Sequence, residues 1–199
     1  MPGMSLFDEI TACTACAAHL PLGPRPVVRA SDPRAKILII GQAPGTKVHA
    51  SGVPWDDASG KRLRDWMGVT PDQFYDESLF AIIPMGFCYP GRGQKTKNGG
   101  GDNPPRPECA PLWHDRVRAT LPAIRLTLLI GTYAQAHYLG VRRKASLGET
   151  VRAWRDYIDE GYLPLVHPSP RNQIWLKRNP WFEAEIVAYL RTSIMTALT

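Results

Sequence analysis

Short apolar runs recur along the chain, and each stops at a turn-forming residue. Residues 36–40 (KILII) end at Gly41, residues 79–83 (LFAII) at Pro84, residues 127–130 (TLLI) at Gly131, and residues 163–166 (LPLV) at His167-Pro168. Continuous apolar runs of this length predict strands buried on both faces. Between them the period changes. Residues 59–67 place Leu63, Trp66 and Met67 on one helical face, with Ser59 as the expected N-cap. Helices are also predicted for about 107–120, from 132 through 139, and from 180 to about 194, where Phe182, Ile186, Val187 and Leu190 share a face and Pro180 suits a first turn. Residues 89–108 (YPGRGQKTKNGGGDNPPRPE) carry no such period and predict a long loop. The stretch 141–159 fits neither pattern cleanly.

This alternation predicts an α/β fold, with a central, mostly parallel four-stranded sheet flanked by helices on both faces. In such sheets sites form at the carboxyl ends of the strands. Gly41-Gln42-Ala43-Pro44-Gly45, the residues around Pro84, and His167-Pro168-Ser169-Pro170 all follow strands, so they are expected to share one crevice.

The length of 199 residues suits a single domain spanning 1–199. Apolar content of 44% and charged content of 21% are those of a soluble globular chain. No apolar run approaches the ~18 residues of a membrane span, and the first residues lack the basic-then-apolar pattern of a signal peptide, so a cytoplasmic protein of the bacterial type is expected, with no membrane partner. The net charge of +6 and a pI near 9.3 are compatible with a polyanion such as DNA without requiring one.

Four segments carry candidate chemistry. In Gly41–Gly45 the glycines allow close backbone approach and Pro44 stiffens the turn; alone it reads equally as a plain strand-to-helix turn. In 167–170 two prolines fix the directions of His167 and Ser169, and a histidine there can donate to an oxygen that gains negative charge. Trp55, after Val53-Pro54, can stack a flipped base or fill a core. Cys13 and Cys16 form a CxxC pair, with Cys88 at a strand end and Cys109 at a helix start. Four thiolates suit a [4Fe–4S] cluster or zinc.

The joint order of these segments resembles the iron–sulfur uracil-DNA glycosylases, family 4, from Cys13 to about Asn172. The resemblance implies a DNA repair enzyme that flips a deaminated base out of single- or double-stranded DNA and hydrolyses its N-glycosidic bond. It implies a [4Fe–4S] cluster on Cys13, Cys16, Cys88 and Cys109, with zinc the lesser alternative, and a monomer that joins the nucleoid when on DNA. It places Trp55 at the stacking position, His167 facing the base, Ser169 against the DNA backbone and Arg171 near the wedge that fills the vacated stack. Gly41, Ala43, Pro44 and Gly45 would contact the base edge, and Lys177 and Arg178 would contact phosphates.

The sequence also departs from that pattern. Gln42 replaces an acidic residue, Val48 and His49 stand where an acidic pair is usual, and Pro84 lies near the place of a base-reading Asn. Gln42 or His49 is therefore expected to orient water; Asp56 and Asp57 are the substitutes for water activation, though in a loop after a Trp they read first as solvated charges. A lesion- or abasic-DNA-binding iron–sulfur protein, or a glycosylase for another damaged base, is the alternative.

Overall fold

The structure is a computed structural model that describes residues 3–93 and 100–198. Four strands form one all-parallel sheet: β1 (Ile37–Ile40), β2 (Phe80–Ile82), β3 (Leu126–Ile130) and β4 (Tyr162–Leu165), in the order β2-β1-β3-β4. This is the predicted fold class. β1 pairs on both edges, with Ile37 opposite Phe80 on one side and Leu126 on the other.

The pleat sorts the apolar runs between two cores. Ile37, Ile39, Phe80, Ile82, Leu128, Ile130, Leu163 and Leu165 face one layer, while Leu38, Ile40, Ala81, Ile83 and Leu129 face the other. That is why the runs are continuous rather than alternating. The first layer is completed by Leu63, Trp66 and Met67 of α3 (Ala58–Met67) and by the C-terminal helical segment. The second receives Ile10 of α1 (Leu6–Thr11), Ala110, Trp113 and Val117 of α5 (Cys109–Ala119), and Ala134 and Leu139 of α6 (Thr132–Leu139).

Several local expectations change. Ser59 does not cap α3. It is buried in the first turn, and Asp57 is the N-cap, because its Oδ1 reaches back to accept the Gly60 N–H at 2.8 Å. The C-terminal helical segment starts at Phe182 with one wide π turn (Phe182–Val187) and continues as an α-helix through Ala188–Leu198. The stretch 141–159 holds two short helices, Leu147–Arg152 and Arg155–Ile158. Short helices at Leu6–Thr11, Thr46–Ser51, Pro71–Phe74 and Gln173–Arg178 carry too few turns for their period to stand out in the sequence.

The described residues of 89–108 form no helix, as expected. Their two described arms make a narrow antiparallel ribbon: Gly93 N–H donates to the Gly101 carbonyl and Asn103 N–H to the Gly91 carbonyl, both at 2.8 Å. Residues 94–99 of this predicted loop lie outside the described residues.

Phe182 anchors the C-terminal segment to the sheet. Its side chain is 0% exposed and meets Trp66 edge-on at 5.0 Å between ring centroids and Trp175 at 5.8 Å. Replacing Phe182 with Ala should cost about 3–5 kcal/mol, because the cavity is ringed by large rigid side chains that cannot collapse into it. Chemical denaturation should show a lower midpoint with an unchanged slope.

Candidate functional site

The carboxyl ends of β1, β2 and β4 open into one cleft of about 440 Å³, counting its open mouth. All five residues of Gly41–Gly45 line it, as do Pro84, Trp55, Asp57 and His167. The crevice predicted from strand ends is thus present. Two main-chain hydrogen bonds fasten its walls: Met85 N–H donates to the Gly41 carbonyl at 2.9 Å, and Gly86 N–H to the Gln42 carbonyl at 3.0 Å. Gly45 then serves as the N-cap of α2 (Thr46–Ser51), without a side chain to cap it.

Trp55 lies across the first loop. A Cβ on Gly41 would stand 2.8 Å from Trp55 Cζ2, so the indole rests directly on the glycine. Among the described residues Trp55 is the one non-glycine residue in the left-handed region, with φ of 59°. A bulky residue pays for that conformation in strain, of order 1–3 kcal/mol. Its neighbours impose it. A Cβ on Gly60 would fall 1.7 Å from the Trp55 carbonyl oxygen, so only glycine fits there. Arg64 Nη1 donates to that same carbonyl at 3.3 Å, and the Tyr75 hydroxyl donates to the Pro54 carbonyl at 3.0 Å.

His167 sits across from the indole, with ring centroids 5.5 Å apart and planes tilted by 31°. Burial lowers its pKa, against a smaller opposing pull from the Asp57 charge, so the ring is neutral at neutral pH. No hydrogen bond engages the imidazole among the described residues. The loop behind it is rigid. Asn172 Nδ2 donates to the His167 carbonyl at 2.7 Å, Arg171 N–H donates to Ser169 Oγ at 3.2 Å, and Arg62 reaches from α3 to the Ser169 carbonyl at 3.4 Å and Gln173 Oε1 at 2.7 Å.

Other expected site residues lie outside the cleft lining. His49 is on α2 beside Tyr89, at 6.0 Å between ring centroids, with a buried Nδ1 that lacks a partner. Ser169 spends its hydroxyl on the turn that follows it. Arg171 donates through Nη2 to the Gly100 carbonyl at 2.6 Å and so grips the ribbon. Lys177 and Arg178 are exposed at the end of α9 (Gln173–Arg178). Asp57, read from sequence first as a solvated charge and second as a water activator, lines the cleft; the helix cap it forms is the signal that would have placed it there.

Behind Pro84 lies a buried polar link. His114 on α5 is 1% exposed, with Nε2 3.0 Å from the Pro84 carbonyl and Nδ1 2.6 Å from the Tyr138 hydroxyl. The carbonyl can only accept, so Nε2 carries the proton and Tyr138 donates to Nδ1. The next residues along this segment lead to the cysteines. Phe87 stacks on His114 at 5.7 Å, and its N–H points at Cys109 Sγ at 3.2 Å.

Cys13, Cys16, Cys88 and Cys109 are all free and half-buried. Burial pushes the Cys88 thiol up to about 11 and Cys109 up to about 12; the charges of the other cysteines add to each shift. Cys16 is raised by burial and by Cys13. The four thiols therefore share one neighbourhood, and the Arg25 main chain hydrogen-bonds Cys88 as Phe87 does Cys109. Among the described residues, no three His, Cys, Asp or Glu side chains converge closely enough for a single metal ion.

Burial of neutral His114 has a pH consequence. Its pKa is lowered to about 4, chiefly by burial, from an ordinary value of 6.5. Below 6.5 the unfolded chain takes up a proton that the folded chain refuses. Stability from this group is complete above 6.5 and is lost as pH falls towards 4, by about 3 kcal/mol. Urea melts at stepped pH should show wild-type stability declining through this window more steeply than that of His114→Gln. Equal slopes would remove the assigned charge state.

Among the described residues no helix is long and apolar enough to cross a membrane. A family profile described as the uracil DNA glycosylase superfamily matches residues 28–191, which takes in the cleft lining apart from Val27 along with Cys88 and Cys109, while Cys13 and Cys16 precede it. The match covers most of the chain, and the chain belongs to the uracil DNA glycosylase superfamily.

Proposed function

We propose that the protein is a DNA repair glycosylase that takes a deaminated base, uracil or a related one, into the cleft and hydrolyses its N-glycosidic bond. One observation carries this reading: an aromatic platform, a neutral histidine and a carboxylate, brought from distant parts of the sequence, meet around one cleft at the strand ends. A base leaving the stack costs a few kcal/mol. The Trp55 ring offers stacking that offsets this, in a site whose first loop has no side chain at Gly41 to obstruct it.

The chemistry follows from charge. As the bond breaks, its electron pair leaves with the base and positive charge grows on the sugar. Neutral His167 keeps an N–H to donate to the developing oxyanion, a contribution worth roughly 3 kcal/mol in comparable sites. Water adds to C1′ and yields a proton. Asp57 is the group placed to accept it, since Oδ1 is held by the Gly60 N–H and the other carboxylate oxygen is not needed for the cap. This moves the water-activating role away from Gln42, which has no charge to offer, and from His49, which stands off the lining.

Cys13, Cys16, Cys88 and Cys109 are proposed to hold a [4Fe–4S] cluster, which would supply a covalent crosslink between the chain's first residues and α5. The donor set supports it. The four thiols lie within electrostatic reach of one another, and four thiolates suit a [4Fe–4S] cluster. Main-chain N–H groups already face two of the sulfurs, the kind of hydrogen bond that tunes such clusters.

Single- and double-stranded oligonucleotides carrying uracil, hypoxanthine or xanthine should yield abasic sites with the wild-type protein. His167→Ala should slow release about a hundredfold in single-turnover assays. Release from none of these bases, with the protein folded and its cofactor loaded, would overturn the enzyme reading in favour of a protein that binds lesions without cutting. Anaerobically purified protein should be brown and contain iron; Cys109→Ser should lose the colour, and a colourless zinc protein would replace the cluster assignment.

A further inference from the structure

The ribbon formed by the arms of residues 89–108 has no role in the mechanism above, yet it ends at the cleft. Asp102 is its key residue. A Cβ on Gly45, which lines the cleft, would stand 3.3 Å from Asp102 Oδ2, so the carboxylate lies against the rim of the first loop. The ribbon is fixed in that place. Arg171, from the turn after His167, donates to the Gly100 carbonyl at 2.6 Å, and a Cβ on Gly101 would meet its other guanidinium nitrogen at 2.9 Å. Asn103 Nδ2 closes the base of the ribbon on the Pro90 carbonyl at 3.1 Å. Burial raises the pKa of Asp102, Arg92 and Arg171 pull it back down, and the Asp57 charge adds to the rise, so the carboxylate lies within electrostatic reach of the cleft.

We propose that Asp102 is a second carboxylate of the base-release site, placed at the mouth of the cleft where the sugar of a flipped nucleotide comes to lie. The proposal rests on the glycosylase reading. On that reading the base enters the cleft that Trp55 and His167 line, so the sugar stays at the rim. The reaction makes that sugar cationic, and a fixed negative charge there lowers the barrier. A cleft whose first loop carries neutral Gln42 gains from Asp57 and Asp102 the negative charge that loop lacks. The imidazole of His167, half-buried on the cleft lining and without a hydrogen-bond partner among the described residues, faces the same cleft.

A purely structural role is also open to Asp102. Gly45 leaves the start of α2 without a side-chain cap, and a nearby carboxylate can serve as one. Asparagine caps as well as aspartate but carries no charge, so Asp102→Asn separates the two. The probes are oligonucleotides with a cationic pyrrolidine or a neutral tetrahydrofuran in place of the target nucleotide; neither can be cleaved.

Wild-type protein should bind the pyrrolidine DNA more tightly than the tetrahydrofuran DNA. Asp102→Asn should lose about tenfold of that preference while keeping the wild-type melting temperature, and Asp102→Glu should retain it. In base-release assays Asp102→Asn should slow the single-turnover rate by a similar factor without weaker binding to undamaged DNA. A wild-type protein without the preference, or an Asp102→Asn protein that keeps it, would overturn the proposal, as would equal weakening on both DNAs with a lower melting temperature. The failure of the glycosylase reading looks different: no base release by wild type, whatever the binding ratio.

Discussion

β1 is hydrogen-bonded along both edges, and its last paired residue, Ile40, stands immediately before Gly41. This double pairing fixes where the first cleft loop begins and how high it stands relative to its neighbours. The segment after β2 is zipped to that loop through the Gly41 and Gln42 carbonyls, and the Gly131 N–H donates to the Leu165 carbonyl, which ties the end of β3 to the end of β4. The loop bearing His167 therefore emerges at a fixed height on the same edge of the sheet as the first, with β3 between them. A parallel sheet sends successive strand ends to one side, so residues more than a hundred positions apart meet without a dedicated contact between their loops.

The loop from Val53 to Asp57 is a second constraint, built on the first. Trp55 takes a backbone conformation that its side chain disfavours, and it is held there by Gly60, Arg64 and Tyr75. One short segment thereby sends an indole over Gly41 and a carboxylate to the cleft wall. Asp57 serves two ends at once, since the oxygen that caps α3 fixes the direction of the other. Strain of this kind persists only where the surroundings over-determine it, and here they do so with a helix terminus on one side and the sheet on the other.

The strands were legible because each is short, apolar throughout and stopped by glycine, proline or a His-Pro step; the cleft was legible because its loops sit at those stops. What escaped notice depended on three-dimensional contact. Ser59 looks like a cap because serine favours that position, but Asp57 two residues earlier makes the bond, and this also moves Asp57 from the solvent to the site. The helix at Gln173–Arg178 follows a proline-rich turn and spans less than two turns, so its period is hidden. The ribbon could not be read at all: its few pairings join glycine-rich arms that carry no alternation, and Arg171 reaches it from far along the chain.

The fate of the basic residues shows how net charge misleads when it is read without positions. Arg62 and Arg171 flank the His167 loop, and both could be taken for phosphate ligands. Yet each spends its guanidinium on protein oxygens, Arg62 on Ser169 and Gln173, Arg171 on Gly100. Arg64 and Arg25 do likewise, at the Trp55 and Ala50 carbonyls. These arginines stiffen the rim of the cleft; they hold main-chain oxygens that the loops leave unpaired, a task for which a planar, multi-donor group is better suited than lysine. Lys177 and Arg178 remain exposed, so the charge they carry acts at long range and is easily screened by salt.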